Sequence, residues 1–367
     1  MEERFVSADS HVLEPGDLWT SRAPNTAKDR VLRVVTDQHG KSHREGEGLT
    51  YQPLAMAFAA GRRGDDFKNE EETPWEQRPA AGYEWQARLD AMSADGVAGE
   101  VIYPTLGMGL YRLTDPDLKL LQFEVYNEWL SEFTAGSNGR LLGVAMVSVD
   151  DPTTVARQIS RARELGHQGI MIPAAASQPY NDPIFEPVWA AAAEARMPIS
   201  LHVGTGVDLL RTSGPGAAGI NYLTMSFDLQ QTCQALIWSG ALQRYPDLRV
   251  VFVENGIGWI SQLLERMDDV WEQHRGWMKP RLTQPPSHYF SHQCAATFER
   301  DRVGILTREV SGVRPLMWAT DYPHAESSWP ESRKTAEAAL HDVPEDERGR
   351  ITHKNVEELY NWNPNPE

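Results

Sequence analysis

Eight short apolar runs, rich in β-branched residues and alternating with longer amphipathic stretches, restrict the folds open to this chain more than any other feature. Such runs read as buried strands, and strands alternating with helical stretches read as βα units around a parallel sheet. Strands are expected at Phe5–Ala8, Ala98–Tyr103, Leu141–Val147, Gly169–Ile172, Ile199–Val203, Val250–Val253, Ser291–Thr297 and Leu316–Ala319. Helices are expected around Glu84–Asp95, Asp115–Ala135, Pro152–Leu165, Pro183–Arg196, Leu223–Gln243, Ile257–His274, Arg300–Thr307 and Glu331–His341, with a closing helix near Thr352–Tyr360. Asp151-Pro152 and Asp182-Pro183 each supply an N-cap followed by proline at the first helical position. Gly166 can end its helix in the left-handed conformation. Eight βα units predict an α/β fold, a (β/α)8 TIM barrel, which needs roughly 250 residues.

The chain has 367 residues, so long insertions are expected within one domain spanning 1–367. Residues 36–80, rich in Gly and charge and holding Phe67 and Trp75, follow the first strand. Residues 276–290, with Trp277, Pro280, Pro285 and Pro286, follow the sixth. Loops of this length read as lids. Fifty-two acidic against 35 basic residues give a net charge of -17. A surface that acidic repels phosphate backbones and anionic lipid, so neither nucleic acid nor membrane is an expected partner. Two cysteines, Cys233 and Cys294, make neither a disulfide scaffold nor a thiolate zinc site. The N-terminal segment has no apolar h-region, and no apolar run reaches ~18 residues. The expected location is the cytoplasm, and barrels of this kind are expected to self-associate.

Ionisable residues cluster at the strand ends. The first strand runs into Asp9-Ser10-His11, with Glu14 shortly after. The fifth carries His202 within Ile-Ser-Leu-His-Val, the sixth ends in Glu254, and the eighth leads to Asp321 and His324. Residues two apart on a strand share a face, so Asp9 and His11 can grip one ion. Each group alone has a plainer explanation, such as a satisfied core histidine, a cap or a solvated turn. Convergence of all seven at one rim is another matter: four carboxylates in a partly dry cavity do not all stay ionised without cations.

The motifs D-S-H-V-L-E-P-G-D-L-W, I-S-L-H-V-G-T-G, F-V-E-N-G-I-G-W-I and A-T-D-Y-P-H-A-E together resemble the amidohydrolase-related family of the amidohydrolase superfamily. Weaker echoes at Arg88–Val97 and Asn355–Tyr360 extend the similarity over most of the chain. The resemblance implies a metal-dependent TIM barrel, with Asp9, His11, His202 and Asp321 in the places of the ligands to zinc or manganese. Members with assigned roles are mostly decarboxylases of aromatic or muconate-type acids, with some hydrolases and hydratases. Where decarboxylating relatives usually carry histidine, this chain has Glu254. Glutamate bridges two metals well, and with Glu14 and His324 the ligands become three histidines and four carboxylates. That set resembles the branch whose diiron centre activates O2.

The leading expectation is therefore a non-haem diiron monooxygenase acting on a small apolar or aromatic substrate. It would hold two divalent ions, iron before manganese or zinc, use O2 as co-substrate and draw electrons from a separate donor. Glu254, Asp321 and His324 would be its catalytic residues. The alternative is a zinc- or manganese-dependent hydrolase or decarboxylase of an aromatic or cyclic carboxylic acid, in which Glu254 is the general base. A second alternative is a metal-binding partner subunit without activity of its own. Trp19, Tyr103, Asn221, Trp259 and His292 are candidate substrate contacts. Arg62, Arg63 and Arg112 are candidates to pair a substrate carboxylate.

Overall fold

The computed structural model describes residues 3–52, 54–65, 73–206 and 212–364. Among the described residues ten strands form: β1 (Val6–His11), β2 (Arg33–Thr36), β3 (Ser42–Glu45), β4 (Gly99–Tyr103), β5 (Leu141–Met146), β6 (Gly169–Pro173), β7 (Ile199–His202), β8 (Val250–Val253), β9 (Cys294–Phe298) and β10 (Leu316–Trp318). Eight of them, β1 and β4 to β10, pair in parallel in chain order. The ladder is continuous from β1 round to β10. Two backbone bonds then link the ends, His11 N–H to Tyr322 O at 2.7 Å and Asp321 N–H to Asp9 O at 3.0 Å. The result is a nearly closed α/β barrel, the expected TIM architecture.

Helices cover the strands because their apolar spacing leaves one face to bury. In α4 (Val155–Glu164) the buried residues are Val155, Ile159 and Ala162, one stripe of a 3.6-residue repeat. Burying a side chain such as Ile159 stabilises by ~1.5–3 kcal/mol, and Ile159→Ala would cost ~2–5 kcal/mol. The caps at Asp151 and Asp182 form as expected, each carboxylate accepting from a backbone N–H just downstream, and Asp115 does the same for its helix. The closing segment is a π-helical turn (Arg350–Lys354) followed by a helix (Asn355–Tyr360), and the latter sends Tyr360 to the barrel interior beside Tyr103 and Ser200. No helix among the described residues is long and apolar enough to cross a membrane.

Three boundaries differ from expectation for local reasons. Ser291 lies in a helix that starts at Pro286 and ends at Gln293, so β9 begins only at Cys294. The expected helix at Arg300 begins at Arg302, because Asp301 is its cap and accepts from Gly304 N–H at 2.8 Å. The helix expected from Leu223 begins at Ala217 and stops at Trp238, ahead of Gly240 in the left-handed region (φ 74°).

The β2–β3 antiparallel hairpin leads into the first insertion, which buries Trp75, whose indole N–H donates to Glu14 O at 3.2 Å. Phe67 lies outside the described residues. The second long segment is corrected in its position. It leaves the C-terminus of the helix Gly258–His274, which follows β8, so it lies at the N-terminal end of the barrel, away from the ligand-bearing strand ends. There it braces structure instead of covering a site, with Thr283 N–H donating to Gln243 Oε1 at 2.8 Å.

Candidate metal centre

The site is assembled on β1. Asp9 and His11 are fully buried and two residues apart, so the pleat aims both into the barrel mouth. His11 Nδ1 lies 2.8 Å from Pro104 O. A carbonyl only accepts, so Nδ1 carries the proton and Nε2 presents its lone pair inward. His202, at the end of β7, repeats the device with Nδ1 2.9 Å from Val203 O. The two Nε2 atoms face each other at 3.1 Å. Two lone pairs so placed repel unless a proton or a cation lies between the groups that bear them.

Carboxylates close the ring. Asp9 Oδ1 is 3.5 Å from His11 Nε2 and 3.7 Å from His202 Nε2. Asp321 Oδ1 is 3.4 Å from His11 Nε2 and 3.1 Å from His324 Nδ1. Glu254 Oε2 is 3.6 Å from His202 Nε2. Two overlapping groups have metal-ligand spacing: Asp9, His11 and His202, and His11, Glu254, Asp321 and His324. Asp9 Oδ1 and both carboxylate oxygens of Asp321 are buried with no hydrogen-bond partner. Buried orphan oxygens facing imidazole lone pairs fit a hard or borderline divalent cation.

The surrounding structure fixes these groups. Ser7, Ser10 and Thr320 hydroxyls interlock at 2.9–3.2 Å and pin β1 to the segment before Asp321. The Thr297 hydroxyl accepts from Glu254 N–H at 2.8 Å and lies 3.4 Å from Asp9 Oδ2. Glu254 and Asp321 both adopt left-handed backbone, φ 57° and 53°, a conformation that costs non-glycine residues ~1–3 kcal/mol and gathers at functional sites. At Gly256 (φ 62°) an added Cβ would lie 2.9 Å from Asp301 Oδ2, so only glycine lets Asp301 hold the turn beyond Glu254. Asp301 does so by accepting from the N–H groups of Ile257 and Gly258 at 2.6 and 2.7 Å.

The electrostatics describe a cluster that wants positive charge. Burial pushes Glu254 up to about 7, with Asp9 adding to the rise. Burial also raises Asp321 well above the usual range, with Glu254, Asp9 and Glu299 contributing. Burial would raise Asp9 as well, but bonds to His11 and His202 outweigh it and hold the group below the ordinary carboxylate range. Burial would lower His202, yet Asp9 and Glu254 lift it to about 9. Without a cation, protons do the neutralising.

The sequence profile of the family described as Amidohydrolase matches residues 84–362. The chain belongs to the amidohydrolase family. Solved structures agree on the fold. An amidohydrolase from Mycobacterium avium subsp. paratuberculosis K-10 aligns with a TM-score of 0.78 at 19% identity, over 98% of each chain. The 5-carboxyvanillate decarboxylase of Sphingomonas paucimobilis gives 0.71 at 19% identity, over 99% of this chain and 100% of its own. A dihydroxybenzoic acid decarboxylase from Polaromonas sp. JS666, solved with manganese and 2-nitroresorcinol, gives 0.66 at 17%, over 98% and 97%. No curated protein matches this amidohydrolase. The expectation of a diiron monooxygenase using O2 is corrected by these likenesses. Two of these structures are named as decarboxylases, and the one from Polaromonas sp. JS666 holds manganese.

Not every expected residue joins the centre of this amidohydrolase. Glu14 does not. Its carboxylate accepts from the backbone N–H groups of Thr105, Leu106 and Gly107 at 3.2, 2.9 and 3.0 Å, which turns it away from the cluster. Another carboxylate occupies the neighbourhood instead. Glu299 directly follows β9 and buries Oε1 without a partner; burial raises it to about 8, with Asp9 and Glu254 adding. Its signal in the sequence, an apolar run ending in glutamate, is the same as that of Glu254. The helix Pro286–Gln293 hides that signal, because β9 begins three residues later than expected.

Most of the expected substrate contacts also lie elsewhere. Trp19 is core, donating to Gln122 O at 2.9 Å. Trp259 packs edge-on against Phe252 and Phe290. Asn221 holds Thr212 through both backbone groups, and His292 is exposed in the helix before β9. Only Tyr103 adjoins the centre. Its ring lies beneath the His11 and His202 rings, and its hydroxyl is 2.9 Å from Ser200 Oγ.

Above the mouth, Arg44 of β3 and Arg112 approach one another. Arg44 is 5% exposed, its guanidinium lies over Gly109, and its Nε has no hydrogen-bond partner. Burial, with Arg112 nearby, lowers it to about 10. Arg112 donates to Gly204 O at 3.1 Å, two residues beyond His202.

Proposed function

We propose that this chain is a metal-dependent carboxy-lyase that removes CO2 from a small aromatic carboxylic acid. The observation that carries this reading is a cation seat and an under-satisfied buried guanidinium on one face of the barrel. A buried cationic group without full partners is costly, and an anionic substrate group relieves that cost. The named activities of the solved neighbours, decarboxylation of 5-carboxyvanillate and of dihydroxybenzoic acid, support the same substrate class.

Asp9, His11, His202 and Asp321 would hold the ion, with manganese as the leading choice. When bound, the ion supplies a Lewis-acid seat for substrate oxygen. Arg44 receives an anionic group of the substrate, and Arg112 holds the backbone that follows His202. Glu254 keeps 14% of its side chain exposed, whereas Asp9 and Asp321 keep none, so it is the carboxyl that a substrate meets. In its protonated form it delivers that proton to the ring carbon bearing the carboxylate. The bond to the carboxyl carbon then breaks, its electron pair returns to the ring, and CO2 leaves. Water restores the Glu254 proton.

His324 belongs to the second ligand group, and Glu299 lies close enough to Asp9, Glu254 and Asp321 to act on their charge. A second ion there would use His324 and Glu254, and metal titration counts the ions directly. The decisive experiment is CO2 release from aromatic acids by manganese-loaded protein under nitrogen. Release that needs no O2 is expected. Hydrolysis of esters or amides with no CO2 from any aromatic acid would overturn the reading.

A further inference from the structure

Glu14 is fully buried close to the metal centre, yet it lies outside both groups of metal-ligand spacing. A buried carboxylate is costly unless donors surround it. One turn supplies three of them. Oε1 accepts from Thr105 and Gly107 N–H at 3.2 and 3.0 Å, and Oε2 accepts from Leu106 N–H at 2.9 Å. This turn begins where β4 stops. The barrel ladder holds the chain as far as Tyr103, whose carbonyl accepts from Val12 N–H at 3.1 Å, and beyond it the Glu14 carboxylate takes over. The turn has little room to shift, because a Cβ added at Gly107 would lie 3.0 Å from both Met146 Sδ and Pro104 Cβ.

The first residue held in this way carries its side chain to the centre. Thr105 Oγ1 lies 2.9 Å from His324 Nε2, and His324 Nδ1 lies 3.1 Å from Asp321 Oδ1. A neutral His324 offers Nδ1 to an ion only when Nε2 keeps the proton, and a hydroxyl that accepts from Nε2–H selects that tautomer. The hydroxyl does so only while its backbone stays in place. We propose that Glu14 is a positioning residue for the metal centre: it holds Thr105, and Thr105 sets the tautomer and orientation of His324. The inference rests on the metal seat proposed above and is independent of the reaction assigned to that seat. A carboxylate suits the task better than an amide. Both of its oxygens accept here, whereas glutamine would turn an NH2 group toward one or two of the backbone N–H donors.

Two measurements on the full chain test this. Nitrogen-15 spectra of the metal-free protein above neutral pH report the His324 tautomer, and the spectrum of His324→Ala identifies its signals. Wild type and Thr105→Ser should keep the proton on Nε2, whereas Glu14→Ala and Thr105→Val should populate both tautomers. Calorimetric titration with manganese then closes a double-mutant cycle. Glu14→Ala should weaken binding by up to about 10-fold, and little of that loss should remain in a Thr105→Val background. A Glu14 that only supports the fold would lose the same factor in both backgrounds. Additive losses, an unchanged tautomer in Glu14→Ala, or a Thr105→Ser as damaging as Thr105→Val would overturn the proposal. Should Glu14→Ala fail to fold, Glu14→Gln takes its place. A tautomer shift in the same direction is expected there, and its absence counts against the role. A wild type that binds no manganese would sink the seat itself, while the metal-free spectra still decide whether Glu14 governs His324.

Discussion

His202 and His324 contribute unequally to the centre, and their surroundings say why. His202 is wholly buried at the end of a strand, with its tautomer set by Val203 O. His324 keeps 15% of its side chain exposed on a loop and leans on the Thr105 hydroxyl at 2.9 Å. His202→Ala should therefore weaken manganese binding by more than ~100-fold, and His324→Ala by about 10-fold. Calorimetric titration checks the ranking, and equal mild losses would contradict it. Glu254→Gln should leave the fold and the tighter metal site in place while lowering turnover by ~10²–10⁴-fold. Glu14 has a different consequence. Burial raises it to about 7 from an ordinary 4.5. A raised carboxyl stabilises the fold while protonated, so its contribution is complete below 4.5 and is lost as pH rises through 7. The stability advantage of wild type over Glu14→Gln should thus shrink by up to about 3 kcal/mol between pH 4.5 and 8. Parallel pH profiles in denaturant titrations would remove Glu14 from this role.

At the scale of elements, much is legible in the sequence. Periodicity placed eight strands, and Asp9, His11, His202, Glu254, Asp321 and His324 could be assigned to one rim because each ends or follows an apolar run. Glu14 was misassigned because sequence spacing cannot reveal that backbone amides from Thr105 to Gly107 would claim its carboxylate. Glu299 was missed because Pro286 extends a helix to Gln293 and moves β9 onward. Trp19, Trp259 and His292 show that an aromatic near a strand end usually serves packing. Arg88, on the helix Trp85–Ala94, went unremarked yet ties three elements together. It pairs with Glu100 of β4 at 2.5 Å and donates to His11 O at 2.8 Å and Tyr322 O at 3.3 Å, all fully buried. Arg88→Met strands the Glu100 charge and should cost ~3–5 kcal/mol, whereas adding Glu100→Met should recover much of that. Thermal unfolding of the single and double variants decides the matter; additive losses would mean that the pair is not coupled.

For the whole molecule, the proposed metal seat predicts that stability depends on metal. The folded site gathers candidate ligands from β1, β7, the end of β8 and the loop after β10, residues that no unfolded chain keeps together. Free metal at 100 times its dissociation constant should stabilise the fold by ~2.7 kcal/mol. A chelator should reverse the gain, and a melting temperature indifferent to manganese would contradict the seat. The barrel seam offers a finer readout. The two links that join its ends belong to the amides of His11 and Asp321, and those residues are themselves proposed ligands. Deuterium uptake at these two positions would consequently track occupancy of the ion, slow when it is held and faster once it is stripped, so the protein carries its own isotopic gauge of loading.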